Sequence, residues 1–168
     1  FRSGGFGAIF EKDKDNIIDW ENGDSFDCVW TGAVSQQWTH AGNWNNCANG
    51  RGGYPDQNDY ADIRSTAMQQ PVLPADSRFW LQGFRGQGGG HIQIPDRTEL
   101  VLYDENSTFA TNLTIRGTPR PSLSPARYAR SRIIARGKNS IVNGATLTLE
   151  PGVRYEMHDH FHIGNPKS

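Results

Sequence analysis

The run Glu11–Asn22 reads EKDKDNIIDWEN, and its acids are spaced to hold a hard cation. With Glu11 as the first position of a loop, carboxylates from Glu11, Asp13, Asp15 and Asp19 fall at positions 1, 3, 5 and 9. Ca²⁺ surrounds itself with oxygen ligands at this kind of spacing. Ile17 stands where such a loop uses a backbone carbonyl, and Asn22 where it ends on a bidentate acid. Asn16 replaces the usual glycine and is a residue that tolerates the left-handed conformation. The expected calcium ligands are therefore Glu11, Asp13, Asp15, Ile17, Asp19 and Asn22. The competing reading is a solvated acidic linker.

A second cluster lies near the other end. Met157–His162 reads MHDHFH, and in an extended strand His158, His160 and His162 would share one face. Three imidazoles suit Zn²⁺, Cu²⁺ or Ni²⁺. Alternate residues of one flat strand rarely converge on a tetrahedral centre, so a polar outer strand face competes with a second metal site. Cys28 and Cys47 are the two cysteines of the chain. Joined, they would close a short loop and contribute roughly 3 kcal/mol in the chain-entropy picture. That pairing goes with an oxidising compartment; two buried thiols are the alternative. Trp30, Trp38 and Trp44 are interleaved with glycine and asparagine. Their flat faces offer a ligand platform for sugars, or else the core of a small β-fold.

Catalytic signatures are missing. There is no nucleophile elbow and no Walker loop. Gly86–Gly90 reads GQGGG but lacks a phosphate-binding lysine and a helix behind it, so it reads as a turn. Carboxylate pairs such as Asp56 with Asp59 are commonplace. No catalytic residue and no organic cofactor is expected.

The elements that would position these residues are strands. Of 168 residues 35% are hydrophobic and mean hydropathy is −0.68, so the core must be lean; 19 glycines and 9 prolines mean many turns. Apolar runs are short and rich in Ile, Val, Leu, Phe and Thr: RFWLQGF, HIQI, ELVLY, NLTI, RIIA, SIVN, ATLTLE, VRYEMH and HFHIG. Leu147 and Leu149 alternate with threonine. No apolar stretch of about 18 residues is present, so membrane insertion is not expected. The chain opens at Phe1 without methionine, which reads as a mature or excised fragment of an exported protein. Residues 1–30 carry seven acids and three bases, whereas 106–149 carry no acid and gather Arg116, Arg120, Arg127, Arg130, Arg132, Arg136 and Lys138. An acidic front and a basic back invite association of identical chains.

Two resemblances are legible. The acidic loop resembles the short calcium repeats of thrombospondin type 3 modules. VWTGAVSQQWTHAGNW, followed by GGYPDQNDYADI, resembles a segment common in secreted bacterial surface and adhesin-type proteins. The matching residues are Trp30, Thr31, Gly32, Trp38, Asn43, Trp44, Pro55, Asp59 and Ile63, with Gln69–Leu73 beyond them. That resemblance implies entry into a parallel β-solenoid outside the cell, and it carries over no catalytic residue.

The expected fold is all-β: a short right-handed parallel β-solenoid behind a disulfide-closed, Trp-rich region, with a β-sandwich or jelly roll as alternative. Residues 1–25 form an arm and acidic loop, and 26–168 the solenoid-like domain with a cap over 26–65. The expected role is an extracellular, calcium-stabilised structural subunit that self-associates into a homo-oligomer or fibre through strand addition by the arm 1–10. A glycan-binding adhesin, with surface glycans as partner, is the second reading and a β-helical polysaccharide lyase the third. Nucleic acid is not an expected partner.

Overall fold

The computed structural model describes residues 27–47, 52–102, 108–117, 131–136, 139–141, 144–158 and 161–164. The calcium-loop residues Glu11–Asn22, the arm 1–10 and the Pro/Arg-rich stretch 118–130 lie outside them. Among the described residues the protein is all-β, with one short 3-10 turn at Ala41–Asn43. Among these residues no helix is long and apolar enough to cross a membrane.

Among the described residues fourteen strands build three sheets. The first holds seven: β1 (Asp27–Trp30), β2 (Trp44–Asn45), β3 (Tyr60–Ile63), β5 (Gly83–Phe84), β8 (Thr108–Phe109), β11 (Asn139–Ile141) and β14 (Phe161–Ile163). The second stacks β4 (Arg78–Leu81), β7 (Glu99–Leu102), β10 (Ser131–Ala135) and β13 (Val153–Met157). The third stacks β6 (His91–Ile94), β9 (Leu113–Gly117) and β12 (Leu147–Leu149). Among the described strands β1 with β2 is antiparallel, and every other pair is parallel. From β6 onward the chain visits the third, second and first sheets in fixed rotation: β6–β7–β8, then β9–β10–β11, then β12–β13–β14. Each circuit lies in register on the one before. Paired residues are about one circuit apart: Arg78 with Glu99, Ser131 with Val153, Asn139 with Phe161. The pair Glu99–Arg132 spans more chain because 118–130 falls inside that circuit.

Parallel pairing in register turns the strand alternation into columns. Phe79, Leu100, Ile133 and Tyr155 form one inward column, and Leu81, Leu102, Ala135 and Met157 another. Phe84 lies on Phe109 with rings stacked at 5.6 Å, a contact of about 0.5–1.5 kcal/mol beyond burial. Ile92 lies on Ile115, and Ile115 on Leu149. These columns join one continuous core that runs from Cys28 to Ile133, with Ile141, Leu147, Val153 and Tyr155 packed against it.

One run divides differently from the sequence reading. RFWLQGF is two strands in two sheets, β4 and β5, separated at Gln82. The Gln82 N–H donates to the Asp59 carbonyl at 2.8 Å, so a backbone bond to the preceding circuit holds the corner. An apolar run cannot reveal a corner of one residue, because both strands point similar side chains inward.

Candidate functional site

The segment around the three tryptophans forms a closed end. Cys28 in β1 and Cys47 beyond β2 are disulfide-bonded, with their Cα atoms 4.7 Å apart. Trp30, Trp38 and Trp44 are all buried, and Trp44 meets the other two edge to face at 5.1 and 4.8 Å. The ligand-platform reading of Trp30, Trp38 and Trp44 is therefore corrected: their faces are spent on one another and on the core. Two of the indoles also tie the chain together. Trp30 Nε1 donates to the Gln69 carbonyl at 2.6 Å, and Trp44 Nε1 to the Trp38 carbonyl at 2.7 Å.

Asn43 is the polar centre of this end. It is fully buried, and its amide is used completely. Oδ1 accepts from the backbone N–H groups of Val34 and Ser35, both at 2.9 Å. Nδ2 donates to Ser35 Oγ at 3.0 Å and to the Gln37 carbonyl at 2.9 Å. The Asn43 carbonyl accepts from the Thr31 N–H and hydroxyl. Gly32 adopts φ of +61° against the backbone of Gln69, a position closed to other residues by both conformation and space. Pro55 to Asp59 makes a buried turn in which the Asp56 N–H donates to Asp59 Oδ2 at 2.9 Å. The residues that carry the surface-protein resemblance thus perform structural tasks. Cys28, Cys47 and Asp59 converge, but sulfurs bonded to each other offer no thiolate to a metal.

The glycine run is a turn between β5 and β6, as its composition suggests. It wraps the buried carboxylate of Asp62, which accepts from Gly88 N–H at 2.9 Å and from Arg64 Nε at 2.8 Å. A Cβ at Gly86 would strike that carboxylate, so the glycines make room for the pair.

Among the described residues the opposite end is uncovered. β12, β13 and β14 each terminate their own sheet among the described residues. The inward columns reach this end and are left bare: Leu149 is 40% exposed, Met157 54% and Ile163 80%. One circuit earlier the same columns hold buried Ile115 and Ala135. These side chains are exposed because nothing among the described residues stacks above them. They are core residues by position and surface residues by circumstance.

A charge ladder runs along the outer face of the second sheet to the same end. Glu99 is nearly buried between Arg78, at 2.5 Å, and Arg132 of the next circuit. Arg132 also reaches Glu156 at 2.9 Å, and Glu156 is joined by Arg154 at 3.3 Å. Burial pushes the Glu156 carboxyl up. The hydrogen bond and charge of Arg132, helped by Arg154 and His158, outweigh it and hold the carboxyl below its ordinary value. On the third sheet, His91 is shifted down by burial and by Arg116, against the opposing pull of Glu150. The basic stretch therefore has acidic partners. Arg116 pairs with Glu150 and Arg132 with Glu99 and Glu156, acids that lie outside 106–149 in sequence and adjacent in register. Arg120, Arg127, Arg130 and Lys138 lie outside the described residues.

The one-strand histidine triad is also corrected. His158 follows β13 and is exposed, whereas His162 belongs to β14 in a different sheet. His158 and His162 therefore do not share one strand. His160 lies outside the described residues. Family models, curated proteins and solved structures give no match to this chain.

Proposed function

We propose that this chain is an extracellular structural subunit that self-associates into a fibre or surface matrix. It would be built as a short right-handed parallel β-solenoid, closed at the Trp-rich end and open at the other. The observation that supports the reading is the parallel stacking of in-register circuits. Among the described residues three sheets end on the same circuit, where Leu149, Met157 and Ile163 stand exposed above buried columns. An unpaired edge with apolar side chains is a template for another chain. The disulfide adds support for an oxidising compartment. The acidic loop Glu11–Asn22 would bind Ca²⁺ and order the segment before β1, and the arm 1–10 would supply a strand in trans.

Electron microscopy of the purified chain in calcium and then in chelator tests this. Ordered filaments or sheets that loosen on chelation are expected. Dispersed monomers at high concentration under both conditions would refute self-association. Full assembly after deletion of residues 1–10 would remove the arm from the account. Unchanged thermal stability in calcium after joint replacement of Asp13 and Asp15 would remove the ion.

A further inference from the structure

One outward column of the second sheet is out of character. Phe79, Leu100 and Ile133 point into the core, so the next residue of each strand, Trp80, Val101 and Ile134, points away from it. The neighbouring outward column is charged, as an outer face should be: Arg78, Glu99, Arg132 and Arg154. This one is apolar over three circuits before it reaches Glu156. It is also covered. Trp80 is 8% exposed, Val101 0% and Ile134 6%, and the three form a cluster apart from the main core. Neighbouring strands screen the sides of an outward indole but not its top, so burial this deep needs a cover. Among the described residues no strand packs across this face. The cover comes from elsewhere in the chain.

The segment before β1 arrives at this face. Asp27 opens β1 in register with Tyr60, and Tyr60 lies in register with Gly83. Gly83 follows the corner at Gln82, directly after β4. In later circuits the residues that precede a first-sheet strand belong to the second sheet: β4 leads to β5, β7 to β8 and β10 to β11. The chain before Asp27 therefore leads to the β4 edge of the second sheet, beside Trp80. Residues 11–26 separate Phe10 from Asp27 and reach roughly 50 Å when extended, several times the width of a three-strand stripe.

Its chemistry also fits. Residues 6–10 read FGAIF, and extended they would set Phe6, Ala8 and Phe10 on one side. Glu11, Asp13, Asp15, Asp19, Glu21 and Asp24 follow. The face has the opposite sign: Arg78, Arg132 and Arg154 beside the stripe, and Arg136 beyond Ile134, outnumber Glu99 and Glu156. The stretch 118–130 also adjoins the second sheet in sequence, but it is basic and poor in apolar residues, so charge argues against it.

We propose that the outer face of the second sheet is the docking surface of the chain's own N-terminal segment, with the apolar run 6–10 laid across Trp80, Val101 and Ile134. The inference goes beyond self-association and does not depend on it. It gives the arm a seat in its own chain, and exchange of arms between such seats is a low-cost route by which identical chains join.

Acrylamide quenching of tryptophan fluorescence in the full chain tests this. Trp80→Phe, made in each background, isolates the signal of Trp80. In the otherwise unchanged chain that signal should be shielded at every protein concentration. Joint replacement Phe6→Ser, Ile9→Ser and Phe10→Ser should raise its quenching constant several-fold. Circular dichroism checks the fold, and Phe10→Ser alone, with a smaller rise expected, keeps the test open should the triple variant unfold. Unchanged quenching in a folded arm variant overturns the inference. Shielding that is lost on dilution also overturns it, because the cover would then be a second copy's arm. A shielded Trp80 in a chain that stays monomeric would sink self-association and leave the seat standing. Assemblies with a freely quenched Trp80 would do the reverse.

Discussion

Replacing Asn43 by alanine should be among the most damaging polar changes in the chain, because its fully buried amide holds the backbone around it. Its side chain makes four hydrogen bonds, to Val34 N–H, Ser35 N–H, Ser35 Oγ and the Gln37 carbonyl, all between 2.9 and 3.0 Å. Alanine leaves two backbone N–H groups and one carbonyl without their partner. A buried polar group left unsatisfied costs about 1–3 kcal/mol. Val34 and Gln37 lie at the surface and Ser35 is half-buried, so water can repair part of the loss. The expected net cost is about 2–3 kcal/mol, from the lower end of that range for each of the three groups. At this chain length each kcal/mol lowers the melting temperature by about 2–4 °C, so the fall should be about 5–10 °C. Urea titration followed by far-UV circular dichroism is the assay. The midpoint should drop with an unchanged slope, the sign of lost stability without a changed unfolded state. Asn43→Ser, which keeps one acceptor and one donor, should fall between. A cost below about 0.5 kcal/mol for Asn43→Ala would mean that the loop around 34–37 is not held by this amide, and the account of the closed end would fail.

Reduction of the Cys28–Cys47 disulfide, or its replacement by two serines, should cost roughly 3 kcal/mol, read from melts with and without reductant. Equal melting temperatures would show that the bond constrains nothing. Phe109→Ala should cost about 3–5 kcal/mol, because the ring is fully buried and stacked on Phe84; Phe109→Leu should cost less, and a reversed order would contradict the columnar core. Acid should weaken the second sheet through Glu156. Its carboxyl is held below the ordinary value, so its contribution is present above about pH 4.3 and is lost as pH falls through the lower folded value. Glu156→Gln should flatten that part of the stability–pH curve, and an identical curve in the variant would show that the ladder contributes nothing there.

The strands were legible because parallel sheets with a buried face demand Val, Ile, Leu and Phe in short runs, and most runs fell on a strand. The division of RFWLQGF was not legible, since the corner at Gln82 is held by a bond to a carbonyl 23 positions earlier. The repeat was hidden for a similar reason. Arg78 pairs with Glu99 and Ser131 with Val153, but the circuit holding 118–130 is longer, and one long excursion spoils a period. The tryptophans offered two readings from sequence, and burial decides for the core. Arg116 and Arg132 looked unpaired only because their acids, Glu99, Glu150 and Glu156, stand outside that window. Sequence windows average along the chain, whereas this fold pairs residues across circuits. The bare end could not be read at all, because Leu149, Met157 and Ile163 are ordinary core residues until one asks what lies above them.

The charge ladder explains how stacking of this kind keeps its register. Apolar inward columns set the parity of each strand, since a slip by one residue turns the core side chains outward. They do little against a slip by two, which restores apolar residues to the inside. The outer face discriminates there. Arg78, Glu99 and Arg132 alternate in sign down one column, and a shift of two residues would set Arg132 over Val101 and leave the nearly buried Glu99 without its second cation. Leaving a nearly buried carboxylate with one half-exposed cation instead of two is unfavourable, so the ladder penalises the slipped state. The alternation then breaks, because Arg132 is followed in its column by Arg154. Glu156, from the neighbouring column, takes both arginines and repairs the break. Beyond Arg154 no described residue continues the column. The device that sets register inside the molecule therefore reaches the last described circuit as a cation and an anion two residues apart, with Glu156 shared between the arginines of two circuits.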